Sequence, residues 1–403
     1  MPGIVVVGAG QAGASVVAKL RALNYQGEIT LIGEEPAPPY QRPPLSKKYL
    51  LGEMDLERMY LRPASFYAEQ SIDLRLNEEV TSIVPGAKEV TTTNHTIEYD
   101  HLVLATGSVP RTLPATMGGD LDGVYLVRGL SDVDAMAPEF KEGAHVLIVG
   151  GGYIGLEAAA VAAKKGLKVT LIEMADRILK RVASPETSDY FRDIHQSHGV
   201  EIRENTGLER LVGNGRVTGA QLADGEELNV DFVIVGVGID PATQLADMAG
   251  VEVENGIKTD EFCRTSDPYI WSAGDCASFL FRGQRVRLES VPNAHDMAEC
   301  VAENIMGAEK TYVAQPWFWS DQYDIKLQIS GLNTGYDHVI TRPDGKGKGV
   351  SFWYFKGDEL LAVDAVNEPR AYMVGKRLID AGKSPSPDQI ADTGLELKTL
   401  LKA

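Results

Sequence analysis

An α/β chain of two Rossmann-like dinucleotide-binding units, followed by a C-terminal α+β domain with an antiparallel sheet, is the fold class that three observations predict. The pattern Gly8-Ala-Gly10-Gln-Ala12-Gly13 recurs as Gly150-Gly-Gly152-Tyr153-Ile154-Gly155. Each copy follows a short apolar run, Ile4 to Val7 and Val146 to Val149, and opens an Ala-rich helical stretch. From Trp317 the pattern changes to strand-like segments separated by Gly, Asp and Pro turns. Strand–helix–strand alternation builds parallel sheets, whereas strands joined by tight turns build antiparallel ones.

Taken in order, the first strand and helix are answered by Ile29-Thr-Leu-Ile-Gly-Glu34, and the second pair by Val169-Thr-Leu-Ile-Glu173. Two further apolar strands end abruptly in glycine: Leu102-Val-Leu-Ala105-Thr106-Gly107 and Phe232-Val-Ile-Val-Gly236-Val-Gly238. They bracket the second fingerprint, so the second unit reads as an insertion into the first. The expected boundaries are 1–108 with 236–318, 109–235, and 319–403. Tyr269-Ile-Trp-Ser-Ala-Gly274-Asp275 is another strand ending in a Gly-Asp turn, and a helix is expected from about Pro292 to Met306. In the last part, strands are expected over Lys326–Ser330, Val350–Phe355 and Leu360–Ala365, then a helix over Pro369–Ala381.

Bulk properties narrow the class. A length of 403 residues suits two or three domains. With 44% hydrophobic and 24% charged residues the chain reads as globular. A net charge of −18 argues against nucleic acid, whose phosphates need a cationic surface. Cys263, Cys276 and Cys300 are too few and too far apart for a disulfide framework or a zinc site, and no metal ligand set is expected. No apolar run approaches the roughly 20 residues that cross a bilayer. Met-Pro-Gly-Ile-Val-Val-Val-Gly has no basic n-region or cleavage site, which predicts a cytoplasmic enzyme.

Each glycine of a fingerprint has a physical task. The first makes the tight turn, the second lets a pyrophosphate approach the backbone, and the third lets helix and strand pack closely. The pyrophosphate then lies at a helix N-terminus, where free N–H groups favour anions. Glu34 and Glu173 lie 21 and 18 residues beyond the last glycine, the distance expected of a carboxylate holding a ribose diol. Two copies imply two dinucleotides facing one another, and hence electron movement between them. The inserted unit suits a nicotinamide dinucleotide that comes and goes; the first unit, gathered from distant parts of the chain, suits a retained flavin. Asp275 at its turn is placed to bond a flavin ribityl hydroxyl or to sit near the pyrophosphate. A carboxylate at Glu173 accepts from a free 2′-hydroxyl and repels a 2′-phosphate, which favours NADH over NADPH. Arg177, Lys180 and Arg181 lie close enough in sequence to offset that repulsion, so NADPH stays open at this point.

Longer strings carry a resemblance. Pro39-Tyr-Gln-Arg42-Pro-Pro-Leu-Ser-Lys47, Ala105-Thr106-Gly107, Gly155-Leu-Glu157, Ala273-Gly274-Asp275, Glu289-Ser-Val-Pro292-Asn-Ala294 and Pro316-Trp317-Phe-Trp319-Ser-Asp-Gln322 together cover nearly the whole chain. With them the chain resembles the FAD-dependent pyridine nucleotide reductases of the glutathione reductase fold, and within them the oxygenase-coupled branch that reduces 2Fe-2S ferredoxins. The resemblance implies that Arg42 and Lys47 contact FAD, with Lys47 near the reactive flavin N5 and paired to Glu157 on the nicotinamide side. It implies that Pro292 opens a helix aimed at the flavin pyrimidine edge and that Trp319 packs beside the ring. It assigns Gly8, Gly10, Ala12, Gly13, Glu34, Ala105, Thr106, Gly107, Arg111 and Asp275 to FAD as well. Gly150, Gly152, Tyr153, Ile154, Gly155, Glu157, Glu173, Arg181, Gly236 and Gly238 go to NADH.

Segment 36–47 contains no cysteine, unlike the disulfide-using relatives, and Cys276 reads as a small buried residue. Electrons should therefore leave directly from the flavin, and the resemblance implies hydride uptake from NADH and single-electron delivery to a ferredoxin serving a cytochrome P450 or a ring-hydroxylating dioxygenase. Two alternatives stay open: a related reductase with rubredoxin, a quinone or monodehydroascorbate as acceptor, and a redox-sensing flavoprotein resembling apoptosis-inducing factor. An acidic ferredoxin would be repelled by a −18 chain, yet residues from Asp321 onward carry 11 basic and 12 acidic side chains. Three basic segments are thus expected to border a transient, electrostatic docking site: Arg342 to Lys348, Arg370 to Lys383, and Arg282 with Arg285 and Arg287. Oligomeric state is not legible.

Overall fold

The computed structural model describes residues 3–345, 347 and 349–402. The chain forms two compact units: Met1–Arg42, Asp55–Val109 and Ile239–Pro316 make the first, and Pro43–Met54, Pro110–Gly238 and Trp317–Ala403 the second.

In the first unit, the strands Gly3–Val7 and Ile29–Ile32 are buried at every residue. Strands covered on both faces read as unbroken apolar runs, and these do. The sheet runs in the order Asp73–Arg75, Ile29–Ile32, Gly3–Val7, Thr96–Leu104, Glu89–Thr92, Val80–Val84, with Ile270–Ser272 also pairing Thr96–Leu104. The long strand Thr96–Leu104 is shared: its start pairs antiparallel with Glu89–Thr92, and its end pairs parallel with both Gly3–Val7 and Ile270–Ser272. The helix Gln11–Ala22 buries Ala12, Ala14, Val16, Val17 and Leu20. It packs on the helix Val291–Ile305. Lys19 clamps that contact, reaching Glu299 at 3.2 Å and Glu303 at 2.9 Å. Hydrogen bonding to Glu303 raises the Lys19 pKa above its ordinary value.

The cysteines hold a surprise. Cys276 is buried, with its thiol against the Leu104 carbonyl, but Cys263 and Cys300, 37 residues apart in sequence, lie close enough for each thiol to shift the pKa of the other. Burial pushes the Cys263 thiol well up, while its proximity draws the Cys300 pKa down.

In the second unit a parallel sheet runs Glu201–Arg203, Lys168–Ile172, His145–Val149, Phe232–Val235, Val124–Tyr125. A three-stranded antiparallel sheet, Leu208–Asn214, Arg216–Leu222 and Glu227–Asn229, was not expected from the sequence. The last part forms a five-stranded antiparallel sheet in the order Trp317–Gln322, Ile325–Gly331, Glu359–Val366, Val350–Lys356, His338–Pro343. Trp353, Phe355, Val363 and Ala365 from this sheet pack against Ala371, Val374 and Leu378 of the helix Pro369–Asp380. Among the described residues no helix is long and apolar enough to cross a membrane.

A buried polar tie joins this sheet to the helix Pro185–Ser197. Thr187 Oγ1 donates to Asp364 Oδ2 at 2.9 Å, the Tyr354 hydroxyl donates to the same oxygen, and Ser184 N donates to the Tyr354 hydroxyl at 3.1 Å. Burial nevertheless dominates and pushes the Asp364 carboxyl up from 3.8 to about 6. Below about pH 3 this carboxyl is protonated whether the chain is folded or not, and it contributes nothing. As pH rises the unfolded chain ionises first, so the folded state loses stability until about pH 6 is passed. Asp364→Asn keeps an accepting oxygen. It is expected to raise stability at pH 7 by up to about 3 kcal/mol and to leave it unchanged near pH 3, as read by urea unfolding at both pH values.

Candidate functional site

Both fingerprints are built the same way. Gly8 has φ +109° and Gly150 φ +112°. A Cβ on them would stand 2.1 Å from the Ala105 carbonyl oxygen and 2.3 Å from that of Gly236, so no other residue fits. The third glycines, Gly13 and Gly155, lie against the carbonyls of the first. The middle glycines differ: nothing lies within 4 Å of where a side chain would begin at Gly10 or Gly152. These two residues are the N-caps of 12-residue helices, Gln11–Ala22 and Tyr153–Lys164, and neither helix has a side-chain cap or an acid in its first turn. Each therefore presents N–H groups and a positive dipole end to open space, which is the cradle a pyrophosphate requires.

Around the first cradle, Ala12 packs beside Gly274, which has φ +86°. Thr106 Oγ1 donates to the Ala242 carbonyl at 2.6 Å, Gly107 turns the chain with φ +70°, and Asp275 accepts from Ser108 Oγ at 3.2 Å. Glu34 is exposed just beyond its strand. Arg42 is held at 2.5 Å by Glu35, with its guanidinium 5.3 Å above the Tyr40 ring. Pro292 lies in the first turn of the 15-residue helix Val291–Ile305, which Ser290 caps through Asn293 N.

Around the second cradle, Glu173 accepts from Gly151 N at 2.7 Å and Ala175 N at 2.8 Å. Its carboxylate is thus fixed beside the glycine turn with lone pairs to spare. Arg111 N donates to Gly238 O at 2.9 Å, and the Arg181 guanidinium comes within 3.8 Å of where a Gly238 side chain would begin. Arg177 turns away to Ser188 Oγ at 2.6 Å, and Lys180 pairs with Asp176 at 3.0 Å. Ile154 is 45% exposed, an unusual position for an isoleucine on a helix N-terminus. Tyr153 packs against Phe318, its buried hydroxyl lacking a partner among the described residues.

Lys47 and Glu157 meet in the second unit. The short helical turn Leu45–Tyr49 is interrupted at Lys47. Lys47 Nζ donates to Glu157 Oε2 at 2.7 Å and to the Pro43 carbonyl at 3.2 Å. Ser46 Oγ reaches the same carboxylate oxygen at 2.8 Å, and Ser320 Oγ donates to Oε1 at 2.7 Å. Glu157 is only 2% exposed; Lys47 keeps 16% of its side chain accessible. Ser320 and Gln322 are the buried positions of the strand Trp317–Gln322. Trp319 lies on the opposite face beside Trp317, ring centroids 5.5 Å apart. Ser46 and Ser320 were missed in the sequence because a serine beside a motif carries no signal of its own.

Removing one member of a buried ion pair strands the other. Lys47→Met is expected to destabilise the protein by about 3 kcal/mol, and adding Glu157→Gln to restore most of that loss, as a double-mutant cycle of urea unfolding would show.

Residues 2–298 match the family model for pyridine nucleotide-disulphide oxidoreductases, and residues 317–401 match that of the reductase C-terminal domain. The chain is 43% identical over 404 residues to the 5,5'-dehydrodivanillate O-demethylase ferredoxin reductase subunit of Sphingobium sp., covering 99% of this chain and 98% of that one. It is 41% identical over 399 residues to rhodocoxin reductase of Rhodococcus erythropolis, covering 98% and 93%. The crystal structure of the covalent putidaredoxin reductase–putidaredoxin complex superposes with a TM-score of 0.96 at 38% identity, covering 100% of this chain and 98% of that one. With two glycine cradles, a buried Lys–Glu pair and end-to-end similarity of this kind, the chain belongs to the pyridine nucleotide-disulphide oxidoreductases.

Proposed function

We propose that this protein is an NADH-dependent, FAD-containing ferredoxin reductase that feeds electrons singly, through a 2Fe-2S ferredoxin, to a cytochrome P450 or a ring-hydroxylating dioxygenase. The observation that carries the reading is full-length similarity to reductases of iron–sulfur electron carriers, among them the ferredoxin reductase component of an anthranilate 1,2-dioxygenase system and terpredoxin reductase. The family is named for disulphide chemistry, but segment 36–47 holds no cysteine, which favours direct exit of electrons from the flavin. Dependence on NADH, an intracellular reductant, favours the cytoplasm.

On this reading the domains are 1–108 with 236–318 for FAD, 109–235 for NADH, and 319–403. Gly8, Gly10 and Gly13 hold the FAD pyrophosphate, Glu34 its ribose, and Arg42, Thr106, Asp275 and the helix opened by Pro292 its remaining polar groups. Gly150, Gly152, Gly155, Glu173, Arg181, Gly236 and Gly238 hold NADH. FAD held there would supply the redox chemistry, acceptance of hydride and release of single electrons. Lys47 provides fixed positive charge where negative charge gathers, and Glu157 keeps that lysine oriented without losing it to solvent. Lys47→Met is expected to slow NADH-driven flavin reduction about a hundredfold in stopped-flow absorbance, with FAD still bound.

Glu173 decides the nucleotide. Two of the three basic residues that left NADPH open are engaged elsewhere, Arg177 on Ser188 and Lys180 on Asp176. Glu173→Gln is expected to narrow the preference for NADH over NADPH by about tenfold in kcat/KM, as steady-state rates with the two nucleotides would show.

The docking expectation changes in detail. Arg342 is buried and donates to the carbonyls of Ile390, Asp392 and Leu395. Arg285 and Arg287 keep only 13% and 12% of their side chains accessible and serve local carbonyls. Lys346 and Lys348 lie outside the described residues. Arg370, Arg377 and Lys383 remain exposed. Reversing those three charges is expected to raise the KM for ferredoxin at low salt and to flatten its salt dependence, with NADH oxidation by a small chemical acceptor unaffected. Unchanged salt dependence would move the docking site elsewhere.

A further inference from the structure

Glu157 is the end of a longer line of hydrogen bonds. Ser320 Oγ meets Glu157 Oε1 at 2.7 Å, and Gln322 Nε2 meets Ser320 Oγ at 3.1 Å. Gln322 Oε1 meets His195 Nε2 at 2.8 Å, and His195 Nδ1 meets the Tyr323 hydroxyl at 3.0 Å. Ser320 and Gln322 are 1% exposed and His195 is fully buried. Three residues of one strand and its turn thus connect a helix of the nucleotide-binding part, Pro185–Ser197, to a second one, Tyr153–Lys164.

The direction of the line is set from one end. A carboxylate only accepts, so Ser320 must spend its single proton on Glu157. Ser320 Oγ then needs a donor, which among the described residues the amide nitrogen of Gln322 supplies. That orientation turns Gln322 Oε1 toward His195, which must carry its proton on Nε2. His195 Nδ1 is left bare and accepts from the Tyr323 hydroxyl. The opposite orientation of Gln322 would set an acceptor oxygen against Ser320 and leave Glu157 facing an oxygen with no proton between. Burial lowers the His195 pKa to about 4 and raises that of Tyr323, so imidazole and phenol keep these forms at neutral pH. The groups facing His195 are Gln322, Tyr323 and, from its own helix, His198, whose ring stacks on Tyr323 at 3.8 Å.

We propose that Gln322, His195 and Tyr323 are positioning residues for Glu157, acting through Ser320 as a one-way hydrogen-bond line that holds the carboxylate on Lys47. Aligned donors polarise one another, so the line strengthens the last bond beyond what an isolated serine provides. The inference rests on the role given to the Lys47–Glu157 pair in the proposed function.

The test begins on the FAD-loaded protein at rest. Long-range nitrogen–proton NMR of 15N-histidine-labelled protein at pH 7 is expected to show His195 protonated at Nε2 and bare at Nδ1. The reverse tautomer would overturn the proposal. Gln322→Glu then reverses the line, because the introduced carboxylate takes the Ser320 proton away from Glu157. It is expected to lower the rate of NADH-driven flavin reduction by about tenfold, with KM for NADH changed by less than about twofold. His195→Leu should act likewise, and His195→Gln, which keeps an N–H near the place of Nε2, should restore the rate. If Gln322→Glu and His195→Leu retain the wild-type rate of flavin reduction at full FAD content, the positioning role is wrong. A wild-type protein that fails to oxidise NADH would instead sink the functional reading and leave the tautomer result standing.

Discussion

A carboxylate buried to 2% exposure costs several kcal/mol to strip of water unless it is paired and its remaining lone pairs are met. Glu157 meets that condition with three donors from two distant parts of the sequence: Ser46 and Lys47 from an early turn, and Ser320 from the first strand of the last sheet. The segment Pro43–Met54 accordingly belongs with the second unit although its neighbours on both sides belong with the first. The strand Trp317–Gln322 must in turn present Ser320 and Gln322 on one face, which the period of two guarantees. Helix, turn and sheet are placed around one charge.

The two nucleotide cradles follow a different logic. Their geometry is local: a strand, a turn at φ near +110°, and a helix with its first N–H groups uncovered. The carbonyls of Ala105 and Gly236 that crowd the first glycines come from distant strands, but the turn itself is written in consecutive letters. That is why Gly8–Gly13 and Gly150–Gly155 were legible at once, together with the buried strands Gly3–Val7 and His145–Val149 and the antiparallel character of the last sheet.

What the sequence hid is non-local or weakly patterned. Lys47 and Glu157 stand 110 residues apart and were joined only through a family resemblance. Gln322 and His195 are ordinary residues in their own segments, and no spacing announces that they touch. The same holds for the proximity of Cys263 and Cys300, which no spacing announces. The sheet from Leu208 to Asn229 is exposed along most of its first strand, which erases the alternation that reveals strands. Charge misled in the other direction: Arg342 looked like surface and is an internal clamp on three carbonyls.

The C-terminal sheet looks like an interchangeable module, with its own core and a covering helix. Its attachment says otherwise. A fragment cut at Trp317 would carry away Ser320, Gln322, Tyr323, Tyr354 and Asp364, and the remainder would keep Glu157, Thr187 and His195. Chimeras between relatives therefore have a hidden compatibility rule. A transplanted end that folds well but mismatches the helix Pro185–Ser197 leaves buried polar groups unanswered, so recombination at this seam should succeed only when both sides are inherited together.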